Sequence, residues 1–244
     1  DTALAWFASY LTRRVQRVRV GQELGGARPC TRGVPQGSVL GPLLFCIYTR
    51  DAPQCFQHAL NQLYADDITL YIRHKSIQII TTQLSADLAA LDRYLDQKGL
   101  VLNPSKTQFV LLRRPGKELP PGTAVNCRGT SIAPSAYARY LGILVDEHLS
   151  FSTQVDAVCA NVNRKVHAKQ NISIFGKRLF YLSIIQSTFE FGSTAYIHCL
   201  SQTLYDKLLT ASRVALKRIF SLDRMTPTTL LYSHTNLYAL EAFL

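Results

Sequence analysis

The sequence predicts an α+β chain, with antiparallel strands and packed helices in the first 150 residues and a helical region after them. Three observations carry this expectation. Apolar and polar residues alternate through residues 13–20, and an apolar, β-prone run is interrupted by Asp66-Asp67 and then resumes, as half-exposed strands and a tight hairpin require. Ile77, Ile80, Leu84, Leu88, Leu91 and Leu95 recur every three or four residues, the spacing of one helix face. Beyond Ser150 the composition shifts to valine and leucine stripes of helical period. The chain is therefore expected to divide near Ser150, into 1–150 and 151–244.

At 244 residues and 47% hydrophobic, the chain can bury a core of its own. Its net charge of +11 points to a polyanionic partner. The charge is uneven: residues 51–100 hold six acidic against four basic residues and form the one acidic block, with basic segments on both sides. The six cysteines, Cys30, Cys46, Cys55, Cys127, Cys159 and Cys199, form no CxxC pair and no zinc-finger spacing with histidine. A reducing, intracellular setting, nuclear and/or cytoplasmic, is expected. No apolar run approaches the ~18 residues of a membrane span, and the first residues lack a signal-peptide pattern.

Taken in order, residues 2–11 read as a helix carrying Trp6, Phe7 and Tyr10. Residues 13–20 read as a basic strand that turns at Gly21, Gly25 and Gly26 and returns toward Cys30, giving an arginine-rich hairpin. Residues 33–42 form a loop entering a helix, with Ser38 as the expected N-cap and Pro42 tolerated in the first turn. From Val39 to Tyr48 that helix is apolar nearly all round, which predicts burial. Gly37 lets a backbone approach another molecule closely, and Gln36 offers an amide donor and acceptor. The stripe from Ile77 ends at Gly99, a C′ residue. Residues 100–102 start a strand, Asn103-Pro104-Ser105 turns, Lys106 sits at that turn, and 108–112 continues as strand. A Pro/Gly-rich basic loop, 113–122, precedes a short β region ending near Val145. Three helices follow, over 155–171, 177–191 and 203–220, with basic residues such as Arg164, Lys165 and Lys169 off the apolar stripe.

Asp66 and Asp67 carry the chemistry. Mg2+ takes oxygen ligands and is usually held by one or two protein carboxylates together with substrate phosphates, so adjacent acids at a hairpin tip suit phosphoryl or nucleotidyl transfer. Two acids also serve as ordinary turn formers, and the flanking motifs decide. Val34-Pro35-Gln36-Gly37-Ser38, Tyr64-Ala65-Asp66-Asp67, the run from Gly99 through Asn103-Pro104-Ser105-Lys106-Thr107, and Tyr140-Leu141-Gly142 follow one another in this order. Together they resemble the palm motifs of the reverse transcriptases of non-LTR (LINE-type) retrotransposons, over roughly residues 2–220.

The resemblance implies a polymerase palm, truncated at its N-terminal side, followed by a helical thumb. It implies Asp66 and Asp67 as metal-site acids, with Asp66 the direct ligand of Mg2+ or, in its place, Mn2+. Lys106 is implied as proton donor to pyrophosphate, and Gln36, Gly37 and Tyr64 as neighbours of nucleotide and template. Tyr140, Leu141 and Gly142 would form the primer grip, and Arg164, Lys165 and Lys169 would meet the nucleic-acid backbone. The implied partners are an RNA template, a DNA primer and dNTP, with no membrane. In the family the reaction is two-metal nucleotidyl transfer, which needs a third acid on an apolar strand before the Pro-Gln-Gly segment. Upstream of Pro35 the only acids are Asp1 and Glu23, and neither follows such a strand, so residues 1–244 alone are expected to be inactive in polymerisation. The alternative reading is a catalytically inactive, basic nucleic-acid-binding remnant or domesticated binding protein.

Overall fold

The computed structural model of the chain describes residues 2–31, 33–35, 37–166 and 172–243. It is α+β, and its described strands pair as five separate two-stranded antiparallel sheets rather than one broad sheet. Two compact units result, Asp1–Thr107 with Gly122–Ala133, and Gln108–Pro121 with Pro134–Leu244. Contacts thus group differently from the expected 1–150 and 151–244: residues 134–150 join the helices that follow them.

In the first unit, α1 (Thr2–Leu11) has no buried residue, and its Trp6 and Tyr10 rings stack on each other at 5.2 Å. The basic hairpin is present as an interrupted ladder. Strand β1 (Arg14–Gln16) pairs β4 (Arg28–Cys30), and beyond it β2 (Arg19–Val20) pairs β3 (Glu23–Leu24). Helix α2 (Gly41–Tyr48) corrects two expectations. Its N-cap is Leu40, and Ser38 Oγ instead donates to the Pro35 carbonyl at 2.9 Å. Its apolar surface is not covered: only Gly41 is buried, while Leu43 is 57% and Ile47 52% exposed.

Strand β5 (Leu60–Tyr64) pairs β6 (Asp67–Tyr71) in register Tyr64↔Asp67, so Ala65-Asp66 is a two-residue turn. Helix α3 (Ile77–Gln97) buries Ile80, Leu84, Leu91 and Leu95 from the expected stripe. It ends as expected at Gly99, whose φ is +69°. The Leu100 N–H donates to the Leu95 carbonyl and the Gly99 N–H to the Asp96 carbonyl, a Schellman closure. Residues 100–102 and 108–112 form no strand, the Phe109 carbonyl accepting the Ser135 N–H at 2.8 Å without a ladder, and Pro104–Lys106 is a single 3-10 turn. Strands β7 (Val125–Cys127) and β8 (Thr130–Ile132) form a hairpin held to α3 by the Asn126 N–H donating to Ser85 Oγ and by Arg128 paired with Asp92.

In the second unit, β9 (Tyr137–Tyr140) pairs β10 (Ile143–Asp146) across the turn Leu141-Gly142. α-Helical segments follow, with short 3-10 turns between and after them. They are α4 (Ser152–Val166), α5 (Ile174–Phe180) running through a π-helical stretch, Tyr181–Gln186, into α6 (Ser187–Glu190), then α7 (Gln202–Phe220) and α8 (Thr228–Thr235). The expected stripe Val155, Val158, Val162 and Val166 is buried, against Tyr181, Ile185, Phe189, Leu208 and Leu216. The six cysteines are free thiols. Among the described residues no helix is long and apolar enough to cross a membrane.

Candidate active site and nucleic-acid surface

Period-2 alternation builds the acidic hairpin. Leu63 and Ile68 face each other and pack on the cluster of Ala52, Leu91, Tyr94 and Leu95, and this turns Tyr64 and Asp67 together to the opposite, exposed face. The turn forces Ala65 to a φ of +51°, a left-handed conformation costing a non-glycine residue roughly 1 kcal/mol. Asp66 and Asp67 are exposed, and neither carboxylate has a hydrogen-bond or ion-pair partner among the described residues.

The hairpin is seated by a residue that the sequence reading overlooked. Asp87 of α3 is 1% exposed, and its carboxylate accepts the N–H groups of Gln57, His58 and Ala59 at 3.0, 3.1 and 2.7 Å. Those residues lead directly into β5. The signal was present: Asp87 falls three residues after Leu84 and four before Leu91, on the buried stripe, where an acid must be satisfied by donors.

Two exposed carboxylates without partners, on consecutive residues of one hairpin, fit a hard divalent cation that keeps several of its waters. Among the described residues no three His, Cys, Asp or Glu side chains gather into a metal-holding group. Glu23 lies on β3 at the far end of the basic hairpin, and Asp1 is outside the described residues.

The other expected site residues are distributed as follows. Gly37 is exposed at a φ of +78° with open space where a Cβ would be, and Gln36 lies outside the described residues. Lys106 closes the 3-10 turn that Asn103 caps by accepting the Ser105 N–H at 3.0 Å. It is exposed and makes no ion pair with Asp66 or Asp67. Leu141 and Gly142 both have positive φ, +46° and +90°, the signature of a type I′ hairpin turn. The turn is tightly backed: a Cβ on Gly142 would come within 2.9 Å of the Phe191 ring, and one on Gly192 within 2.7 Å of Ile143.

Arg164 and Lys165 share a cavity of about 380 Å³ with Gly142, and Arg139 of β9 joins them there. Lys169 lies outside the described residues. The basic residues of α7 are engaged elsewhere: Lys207 pairs with Asp156, Arg213 with Glu241, Lys217 with the Arg224 carbonyl and Arg218 with Asn163. Lys207 and Arg213 are thus paired with acids, while Lys217 and Arg218 bond neutral acceptors at the exposed surface and keep their charge there.

A family model described as reverse transcriptase (RNA-dependent DNA polymerase) matches residues 1–145. A probable RNA-directed DNA polymerase from transposon BS of Drosophila melanogaster is 28% identical over 96% of this chain and 27% of its own length. A probable RNA-directed DNA polymerase from transposon X-element of the same fly is 26% identical over 75% of this chain and 21% of its own length. The RNA-directed DNA polymerase from its mobile element jockey is 28% identical over 77% of this chain and 22% of its own length. The chain thus spans about a quarter of the length of these curated relatives. The family match runs through more than half of the chain, from α1 past the acidic hairpin to the Leu141-Gly142 turn, and on that ground the chain belongs to the reverse transcriptase family.

Proposed function

We propose that this chain is the part of an RNA-directed DNA polymerase that holds the catalytic cation and the primer. The observation that carries the reading is the Asp66-Asp67 pair: two uncommitted carboxylates on a hairpin whose inner face and entry are fixed by Leu63, Ile68 and Asp87. The similarity to transposon polymerases supports it and does not favour the alternative of an inactive basic binding protein.

In this reading Asp66 and Asp67 hold Mg2+, or Mn2+ in its place. When bound, the divalent ion supplies positive charge where the attacking 3′-oxygen and the departing pyrophosphate gather negative charge. Asp66 is the direct ligand, and Asp67 shares the charge from the adjacent strand position. Tyr64, opposite Asp67, together with Gln36 and Gly37, borders the incoming dNTP and the RNA template. Lys106 donates a proton to the leaving pyrophosphate. Tyr140, Leu141 and Gly142 hold the DNA primer end, and Arg164, Lys165 and Lys169 meet backbone phosphates. Residues up to about 150 act as the palm and those from 151 onward as the thumb.

The test uses two readouts. Purified 1–244 is expected to bind Mn2+ weakly, seen by paramagnetic broadening of resonances around the 64–67 turn, and to lose that effect in Asp66→Asn and Asp67→Asn. The same chain is expected to give no primer extension alone. Substituted for the matching region of the transposon BS polymerase it is expected to support extension, and Asp66→Asn in that chimera should cut the rate at least a hundredfold. A chimera that extends primers equally well with Asp66→Asn overturns the assignment.

A further inference from the structure

The cavity in the second unit gathers three cations, Arg139, Arg164 and Lys165, in one lining. Arg139 and Arg164 have no side-chain partner among the described residues. Lys165 Nζ donates to Thr188 Oγ1 at 2.7 Å, which uses one of its three donors and fixes the ammonium in position. Thr188 in turn donates to the Ile184 carbonyl at 2.5 Å. Among the described residues no carboxylate lines the cavity. The acids on neighbouring elements are already engaged, Glu190 accepting from Gln186 at 2.6 Å and Asp156 paired with Lys207. Phe191, also in the lining, is 58% exposed, with one edge of its ring beside Gly142.

Three cations in a concave site without a counter-acid select an oxyanion. An exposed aromatic ring beside them supplies a stacking face, and this pairing of cations with an aromatic platform serves single strands, whose bases are free to stack. The volume of about 380 Å³ is at the small end of ligand-sized pockets. We propose that this cavity seats one unpaired nucleotide of a single-stranded nucleic acid, its phosphate among Arg139, Arg164 and Lys165 and its base against Phe191. The proposal makes Arg139 and Phe191 strand-binding residues. It rests on the polymerase reading only for naming the strand as template or primer.

The full 1–244 chain is titrated with a short fluorescent single-stranded RNA, by anisotropy, with chelator present and without dNTP, so that neither catalysis nor a divalent ion contributes. Arg139→Gln and Arg164→Gln are each expected to weaken binding about tenfold and to lower the log-log salt slope by about 0.7, the loss of one neutralised phosphate on a single strand. Phe191→Leu is expected to weaken binding between about five- and a hundredfold, the range for one base stack, without changing the slope. Lys217→Gln, which removes a cation already bonded to the Arg224 carbonyl, is the comparison and should leave the slope unchanged. Thermal unfolding of each variant confirms that the fold is kept.

Arginine variants that bind with wild-type affinity and slope overturn the proposal. So does a blunt duplex that binds as tightly as the single strand and is indifferent to Phe191→Leu, since that is backbone docking alone. Displacement of the strand by inorganic pyrophosphate as effective as by a mononucleotide, at equal ionic strength, assigns the cavity to free phosphate and overturns it too. The chimera's polymerase activity is read separately: its loss leaves this binding result intact, and its presence does not rescue a negative one.

Discussion

At the scale of single residues, what distinguishes Asp66 and Asp67 from Asp87 is who satisfies them. Asp87 is buried and spends its carboxylate on three backbone N–H groups ahead of β5, whereas Asp66 and Asp67 are exposed and spend theirs on nothing among the described residues. The first arrangement holds a structure, and the second leaves charge for a ligand. Removing the Asp87 carboxylate strands donors that include the buried Ala59 N–H, at a cost of roughly 1 to 3 kcal/mol for a buried unsatisfied group. Asp87→Ala is therefore expected to destabilise the protein by about 3 kcal/mol, and Asp87→Asn, which keeps one acceptor oxygen, by about half of that. Urea titration checks the magnitude. Amide exchange over 60–71 should rise in Asp87→Ala because the hairpin loses its anchor, and unchanged protection there would show that Leu63 and Ile68 alone seat it.

At the scale of elements, turns decide more than strands do. The joint between β10 and α4 contains two non-glycine residues with left-handed backbones, Leu149 at a φ of +54° and Phe151 at +56°, each costing on the order of 1 kcal/mol or more. Asp146 offsets this by accepting the N–H groups of His148, Ser150 and Phe151 at 3.1, 3.1 and 2.6 Å. Burial works against the Asp146 charge, and those hydrogen bonds outweigh it and hold its carboxyl below the ordinary aspartate value. Because the folded value is depressed, the carboxylate's contribution is full above the unfolded value of about 3.9 and is lost as pH falls through the lower folded value. Helix melting followed by far-UV circular dichroism should therefore weaken below about pH 4, and Asp146→Asn should flatten that part of the profile while lowering stability at neutral pH. The sequence made the acidic hairpin and α3 legible because period-2 alternation around a two-residue turn and a stripe ended by Gly99 are local signals. Residues 100–102 and 108–112 were misread because a strand needs a pairing partner, which lies elsewhere in the chain and leaves no local mark. Asp87 is marked by its place on the buried stripe of α3, whereas the role of Asp146 is not legible locally, because its backbone partners are set by the path of the loop it faces. The cavity was half legible: Arg164 and Lys165 stood out as basic residues off a stripe, while Arg139 and Phe191 meet them only after β9, α4 and α6 have packed.

At the scale of the whole molecule, burial is distributed unequally. The second unit closes a core in which Val155, Val162, Ile185, Phe189, Leu216 and Leu231 are fully enclosed. The first unit leaves apolar surface in the open: Leu4 is 70%, Trp6 51%, Val39 97%, Leu43 57% and Ile47 52% exposed. The sequence had stated half of this, since a helix apolar all round must have its faces covered, but composition does not say by what. The acidic hairpin adds to the exposure, because β5 and β6 pair only with each other among the described strands and leave two outer edges without partners. Apolar patches and unpaired edges of this kind drive association between copies, while the net charge of +11 opposes it through repulsion that salt screens. The two effects make a distinguishable prediction. Purified 1–244 should sediment as a monomer at low ionic strength and low concentration, and its sedimentation coefficient should rise with concentration and with added salt. Leu43→Lys together with Ile47→Lys removes apolar surface from α2 and adds charge without touching a buried side chain, so it should suppress the rise. A wild-type chain that stays monomeric at high salt and high concentration would mean that the exposed faces of α1 and α2 are not adhesive. A double variant that associates as wild type does would move the cause from α2 to the edges of the Asp66-Asp67 hairpin.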